Sequence, residues 1–170
     1  MHKETFGGGL SPARTLRESY RQGVGIMLLN ADRSVFMGRR IGVLSGGWQM
    51  PQGGIDDSED YQSAAMRELF EEAGTDKVEV LGVSRDWLSY DLPKQMAKRS
   101  WNGKYKGQSQ KWFAMRFTGT SNDIDLRSHR KPEFDNWMWM KPARCLHEII
   151  DFKRALYKSV FNEFKDFLGS

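Results

Sequence analysis

The chain has one cysteine, Cys145, so it cannot close an internal disulfide, and a zinc centre built from close-spaced Cys and His ligands finds no inventory here. Its three histidines, His2, His129 and His147, lie far apart and make no metal set. Long apolar runs are missing as well. The stretch 26–29 (IMLL) is among the longest, far short of the roughly 20 residues that cross a bilayer. No apolar core of an export signal is visible near the start, and the expectation is a cytoplasmic protein with no membrane partner. Any chemistry must come from oxygen ligands, general acids and bases, or backbone.

The 170 residues are 39% hydrophobic and 28% charged, a soluble globular composition that suits one core. Residues 1–18, with three successive glycines, read as a disordered tail, and 19–168 as a single domain. The net charge of +4 is unevenly spread: residues 92–116 hold seven basic side chains and no acidic one. Clustered positive charge attracts a polyanion, although a solvated surface loop has the same composition.

Alternating and continuous apolar stretches place a strand over 23–30, a turn over 30–33 and its hairpin partner over 34–39. Residues 40–47 read as a loop, 48–51 as a short extended piece, and Gln52-Gly53-Gly54 as a turn. A helix follows, capped by Asp57 or Ser58, acidic in its first turns, with Tyr61, Ala65, Met66, Leu69, Phe70 and Ala73 as its apolar stripe and Gly74 as its stop. Further strands are expected in 78–88, 110–118 and 137–140, the basic run forms a loop, Pro142 opens a turn or helix, and a last helix covers 152–168. Trp48, Trp112 and Trp137 are expected in the core, Trp87 and Trp101 are freer, and Cys145 is a small buried hydrophobe. The fold class is α+β, a mixed β-sheet flanked by helices.

On the first long helix Glu68 lies three residues from Glu71 and four from Glu72, so three carboxylates share one side near its C-terminal end. Mutual repulsion and the helix dipole both oppose that placement. A hard, oxygen-loving cation such as Mg²⁺ or Mn²⁺ compensates it, whereas a solvated acidic face is the plain alternative. Together with the basic run, such a cation suits a polyphosphate substrate.

The string Gly53-x5-Glu59-x7-Arg67-Glu68-Leu69-x-Glu71-Glu72-x-Gly74 resembles the Nudix box at every polar and glycine position, with Thr75 standing where that pattern prefers a bulky aliphatic residue. Flanking segments, among them Trp48-Gln49-Met50-Pro51-Gln52, Gly107-Gln108-Ser109-Gln110-Lys111-Trp112 and Pro132-Glu133-Phe134, resemble the bacterial RNA pyrophosphohydrolases, also described as diadenosine polyphosphate hydrolases. The resemblance implies an α/β/α sandwich and cleavage of a pyrophosphate bond with Mg²⁺ or Mn²⁺, more than one ion per site. It implies Glu68, Glu71, Glu72 and Glu133 as metal ligands and Gly53, Gly54, Glu59, Arg67 and Gly74 as scaffold, with Glu59 and Arg67 an ion pair. It implies Arg21, Arg40, Lys111, Phe152 and Lys153 as holding the RNA 5′ end. Without it, Glu133 would be ordinary surface and Phe152 could equally be core.

The expected activity is removal of pyrophosphate from 5′-triphosphorylated RNA, with Glu72 helping to deprotonate the attacking water and Glu133 or Glu68 as the competing base. The second expectation is asymmetric cleavage of dinucleoside polyphosphates such as diadenosine tetraphosphate. A non-catalytic RNA-binding protein is the third, and retention of Glu68, Glu71 and Glu72 counts against it.

Overall fold

The computed structural model describes residues 19–43 and 45–169, so the expected tail over 1–18 lies outside the described residues. Its strands are β1 (Tyr20–Leu29), β2 (Val35–Arg40), β3 (Trp48–Gln49), β4 (Gln52–Gly54), β5 (Val78–Val83), β6 (Leu88–Asp91), β7 (Gly107–Phe117) and β8 (Phe134–Met140). The helices are α1 (Tyr61–Ala73), α2 (Lys94–Arg99), α3 (Pro142–Glu148), α4 (Arg154–Glu163) and α5 (Lys165–Leu168). All eight strands join one mixed sheet, whose central pair, β1 and β7, runs parallel from Tyr20 opposite Gly107 to Leu29 opposite Arg116. Among the described residues no helix is long and apolar enough to cross a membrane.

The unbroken apolar reading of β1 follows from burial on both faces. Val24, Ile26 and Leu28 point to α1, where they pack with Phe113, Met115, Ala64, Ala65 and Leu69. Met27 and Leu29 point the other way, toward Cys145, Leu156, Tyr157 and Val160 of α3 and α4. The result is a three-layer sandwich with the sheet in the middle, as the sequence implied.

At its Leu29 end β1 pairs with β2, and at its Gly23 end it pairs with β4. Gln52-Gly53-Gly54, expected as a turn, is therefore a strand, held to Gly25, Val24 and Gly23. That pairing pins the start of the box against the sheet. On the far side of it, Tyr157 reaches up from α4 and its hydroxyl accepts the buried Met50 N–H at 2.7 Å, tying the outer helix layer to the β3–β4 connection.

Several local expectations differ from the structure. The cap of α1 is Asp60, whose side chain accepts from the Ser63 N–H, and no acidic residue lies in the first turn. Tyr61 and Phe70 are exposed, because the inward stripe consists of Ala64, Ala65, Leu69 and Ala73 and carries Glu68 and Glu72 beside it. The small alanines let the helix approach the sheet closely. Gly74 ends α1 as expected, in a left-handed conformation at φ 71. Part of the basic run is the short α2 rather than loop, and the last helix is broken at Phe164 into α4 and α5 after a 3-10 turn at Asp151–Lys153. Trp112 is fully buried, whereas Trp48 and Trp137 pack only at the core margin.

Replacing Tyr157 by Phe removes the hydroxyl that accepts the buried Met50 N–H, at almost constant volume. We expect a loss of about 1 to 3 kcal/mol in urea unfolding. An unchanged midpoint would show that the layer tie is unimportant.

Candidate active site

The carboxylates of α1 do not all occupy equivalent positions. Glu68 and Glu72 turn inward and are 8% and 2% exposed, while Glu71 is half-buried at the rim. Glycine at residue 53 leaves the Glu68 carboxyl group its present place: a Cβ there would overlap it and force that side chain to shift. Glu72 Oε2 accepts the Gln52 N–H of β4 at 3.1 Å, and Glu72 Oε1 is buried with no hydrogen-bond partner among the described residues.

Arg67 neutralises this crowd from one side. Its Nε and Nη2 donate to the two oxygens of Glu59 at 2.8 and 2.9 Å, and Nη2 also donates to the Gly54 carbonyl at 2.9 Å. Its Nη1 donates to Glu68 at 2.9 Å and to Glu71 at 3.3 Å. The bidentate guanidinium holds the Glu59 carboxyl down at about 2, chiefly through its hydrogen bonds. Burial acts oppositely on the inward pair. It pushes Glu68 up to about 7 despite Arg67, and lifts Glu72 well above the carboxylate range, with Glu133 adding to the shift.

Glu133 comes from the loop before β8 and is exposed, yet its charge acts on both Glu68 and Glu72. Its backbone carbonyl accepts the Ile41 N–H at 2.9 Å, which anchors that loop to the end of β2. There the β2–β8 register slips between Arg39 and Arg40, a bulge that brings Arg40 into the cleft lined by Glu133.

That cleft, about 190 Å³, is also lined by Gln49, Gln52, Tyr90, Trp101, Phe152 and Lys153. Lys153 is 5% exposed, donates to Gln49 Oε1 at 3.3 Å and lies over the Tyr90 ring at 5.3 Å. Burial and then Arg40 push its ammonium down to about 8, against the pull of Glu72 and Glu133. Phe152, ambiguous in the sequence, is half-buried and stacked on Tyr90 with ring centres 6.1 Å apart, so it belongs to the cleft wall as well as the core margin.

Arg21 sits at the other lip, against Gly54 and over the Trp101 ring at 5.3 Å. Lys111 does not join this group: Phe113 and Met115, of the same parity on β7, face α1, and the Lys111 ammonium donates to the Arg85 carbonyl at 3.0 Å between the Tyr61 and Trp87 rings. Its place on the α1 face of the sheet separates it from Arg40 and Lys153.

Other residues were missed in the sequence. A buried chain runs from the Trp112 indole, which donates to Gln110 Oε1 at 3.1 Å, through Gln110 Nε2 to Gln108 at 2.8 Å and Gln52 at 3.2 Å. It fixes side chains at the cleft floor, and the available signal was polar residues at inward positions of an apolar strand. His129 was set aside as isolated, but its Nε2 stands 4.0 Å from Glu71. The Thr75 side chain, buried at 2% exposure, accepts the Lys77 N–H, which accounts for a polar residue at that point of the box.

Among the described residues, no three carboxylate, histidine or cysteine side chains are already gathered into a ligand shell. The donor set nevertheless suits a divalent cation. A buried carboxylate oxygen with no partner, beside two further carboxylates whose charges oppose one another, is the arrangement that a hard cation relieves.

The family profile described as NUDIX domain matches residues 19–160. The RNA pyrophosphohydrolase of Dinoroseobacter shibae is 47% identical over 151 residues, covering 88% of this chain and 94% of its own. That of Rickettsia canadensis is 49% identical over 145 residues, covering 85% and 89%. Among solved structures, a Caenorhabditis elegans Ap4A hydrolase complex aligns with a TM-score of 0.61 at 18% identity over 86% of this chain and 97% of that one. The Escherichia coli dihydroneopterin triphosphate pyrophosphohydrolase gives 0.63 at 16% identity over 82% and 95%, so these two show a shared fold.

The Glu59–Arg67 pair has a defined pH signature. A carboxyl held near 2 in the folded protein and near its ordinary value when unfolded contributes stability that is complete above about pH 4.5 and fades as pH falls toward 2. Glu59→Gln should therefore melt below wild type at pH 7, with the gap narrowing between pH 5 and pH 3. A gap independent of pH would mean that the pair contributes through packing alone.

Proposed function

The chain belongs to the NUDIX domain family, and on that footing we propose that it hydrolyses a pyrophosphate bond at the 5′-triphosphate end of RNA, releasing pyrophosphate and leaving a 5′-monophosphate. The observation that carries the reading is the juxtaposition of the inward carboxylates with a cleft lined by Arg40, Lys153 and Phe152. Acidic and basic groups are there side by side, as cleavage of a polyanion requires.

Glu68, Glu71, Glu72 and Glu133 would hold Mg²⁺ or Mn²⁺, more than one ion per site. Bound there, the cation supplies charge neutralisation and an acidified water. Arg40 and Lys153 bind phosphate oxygens from the other wall of the cleft, and the buried Lys153 is held in place by Gln49 and the Tyr90 ring. Phe152, backed by Tyr90, offers a face to a base. Arg21 stands at the lip as a further anion-binding group. Glu72 is the residue we assign to take a proton from the attacking water: the Gln52 N–H fixes one of its oxygens and leaves the other unengaged. Glu68 is tied to Arg67, which makes it the weaker candidate, and Glu133 remains the competing base.

Dinucleoside polyphosphates present the same 5′-linked polyphosphate and form the second reading. Phe152, backed by Tyr90, and Trp101 give one cleft two separate aromatic faces, which favours it, since such a substrate carries two bases. A location in the cytoplasm fits either substrate.

Glu72→Gln keeps an acceptor for the Gln52 N–H and should fold normally while lowering kcat on triphosphorylated RNA by about a hundredfold or more. Turnover and melting temperature measured on one preparation test this. Near-normal turnover would remove Glu72 from the chemistry.

A further inference from the structure

We propose that a basic, aromatic-backed groove running from Trp101 past Tyr105 to Lys98 and Lys106 binds the single-stranded RNA body behind the reacting 5′ end. The inference rests on the RNA reading above and deepens it by making nucleotides beyond the first part of what is recognised.

Two further hollows follow the cleft, joined to it by the Arg21–Trp101 contact and to each other by a shared wall. Trp101 lines the cleft, and Arg21, which lies over its ring, lines the next hollow with Tyr20, Lys104 and Tyr105. Lys104 and Tyr105 line the third as well, with Lys98 and Lys106. The surface is therefore continuous with the cleft.

Its chemistry repeats along its length. Arg21 lies over Trp101 at 5.3 Å, Lys104 over Tyr105 at 5.1 Å and Lys106 over Tyr20 at 4.8 Å, while the Trp101 and Tyr105 rings meet edge to face at 6.0 Å. Cations interleaved with rings give a single strand phosphate contacts and stacking faces together, without demanding a sequence. Its link to the cleft that takes the 5′ end favours a single strand over a membrane surface or a folded protein.

The platform is also held in place. Trp101, Asn102 and Gly103 are successively left-handed, with φ of 49, 57 and 71, a conformation unfavourable for a tryptophan. It persists because the loop is tied on both sides: Lys104 N–H donates to the Trp101 carbonyl at 3.1 Å, Lys106 N–H to the Ser19 carbonyl at 2.9 Å, and Leu92 N–H to the Lys106 carbonyl at 2.8 Å. Tyr20 is fixed in turn by its hydroxyl, which donates to Asp91 at 2.6 Å. Strained segments so braced are found where a side chain must be presented in one orientation.

The test uses the full-length protein and a variant carrying Lys98→Gln, Lys104→Gln and Tyr105→Ala, none of which lies in the cleft. A fluorescent single-stranded RNA of about ten nucleotides with a 5′-hydroxyl, mixed with protein in chelator, reads the groove without hydrolysis. Wild type should bind it with a salt-dependent affinity, and the variant should bind about tenfold or more weakly, with the slope of log affinity against log salt reduced by about 0.7 for each lysine removed. Tyr105→Phe, which keeps the ring, should bind like wild type. In turnover, the variant should raise KM for a triphosphorylated decamer far more than for a triphosphorylated dinucleotide. Equal binding by variant and wild type, no binding by wild type, or equal KM ratios for long and short RNA would each overturn the groove. Failure of wild type to hydrolyse any triphosphorylated RNA would instead overturn the catalytic reading, with the hydroxyl-RNA measurement still deciding the groove.

Discussion

Like charges repel most where water is scarce, and this fold buries Glu68 and Glu72 at such a place with the exposed Glu133 at its edge. Arg67 makes it tolerable. One guanidinium spends its planar donors on Glu59, the Gly54 carbonyl, Glu68 and Glu71, so that the box strand, the loop before α1 and the helix itself are fastened at one point. Its compensation stops short of Glu72, which receives one backbone N–H and keeps an oxygen with no partner. The imbalance is what a cation site requires before the cation arrives: negative charge fixed in position and left partly unanswered.

The rest of the fold serves that imbalance. Dividing β1 between β2 at one end and β4 at the other puts the glycines of the box beside the helix carboxylates. The slip between β2 and β8 brings Arg40 and the Glu133 loop to the same cleft from the opposite side. Behind it, the glutamine chain from Trp112 to Gln52 supplies a polar floor whose hydrogen bonds are satisfied internally. A rigid floor, an acidic wall and a basic wall are thus set by different elements, all anchored on the β1–β7 pair.

Much of this could be read from the chain. Spacing alone put Glu68, Glu71 and Glu72 on one side of a helix, and continuous apolar runs gave the central strands. The cap was misplaced because Asp57, Ser58 and Asp60 are all competent caps within four residues, and local chemistry does not choose among them; the Ser63 N–H reaching Asp60 does. Tyr61 and Phe70 looked like core because they are large and apolar, but the helix approaches the sheet through alanines, which leaves the bulky residues outside. Arg40, Glu133 and Lys153 are distant in sequence and converge through a bulge, a loop and a 3-10 turn, none of which has a hydrophobic period to betray it. Family resemblance named them where pattern could not. Lys111 marks the limit of that route, since its neighbours on β7 turn it toward Tyr61 and Trp87.

The central claim is that folding forces Glu72 into a place where its charge is unfavourable until a cation answers it. Thermal melting of wild type and Glu72→Gln at pH 8, first in chelator and then with excess Mg²⁺, tests it most directly. A carboxyl whose folded pKa lies above its unfolded one destabilises the fold increasingly as pH rises past the ordinary carboxylate range, so in chelator the glutamine variant should melt higher than wild type, and the two should converge toward pH 4. Adding Mg²⁺ should raise wild type by more than the variant, because only the wild-type site keeps its full set of charged ligands. A variant that melts below wild type in chelator, or that gains as much from Mg²⁺, would contradict the account.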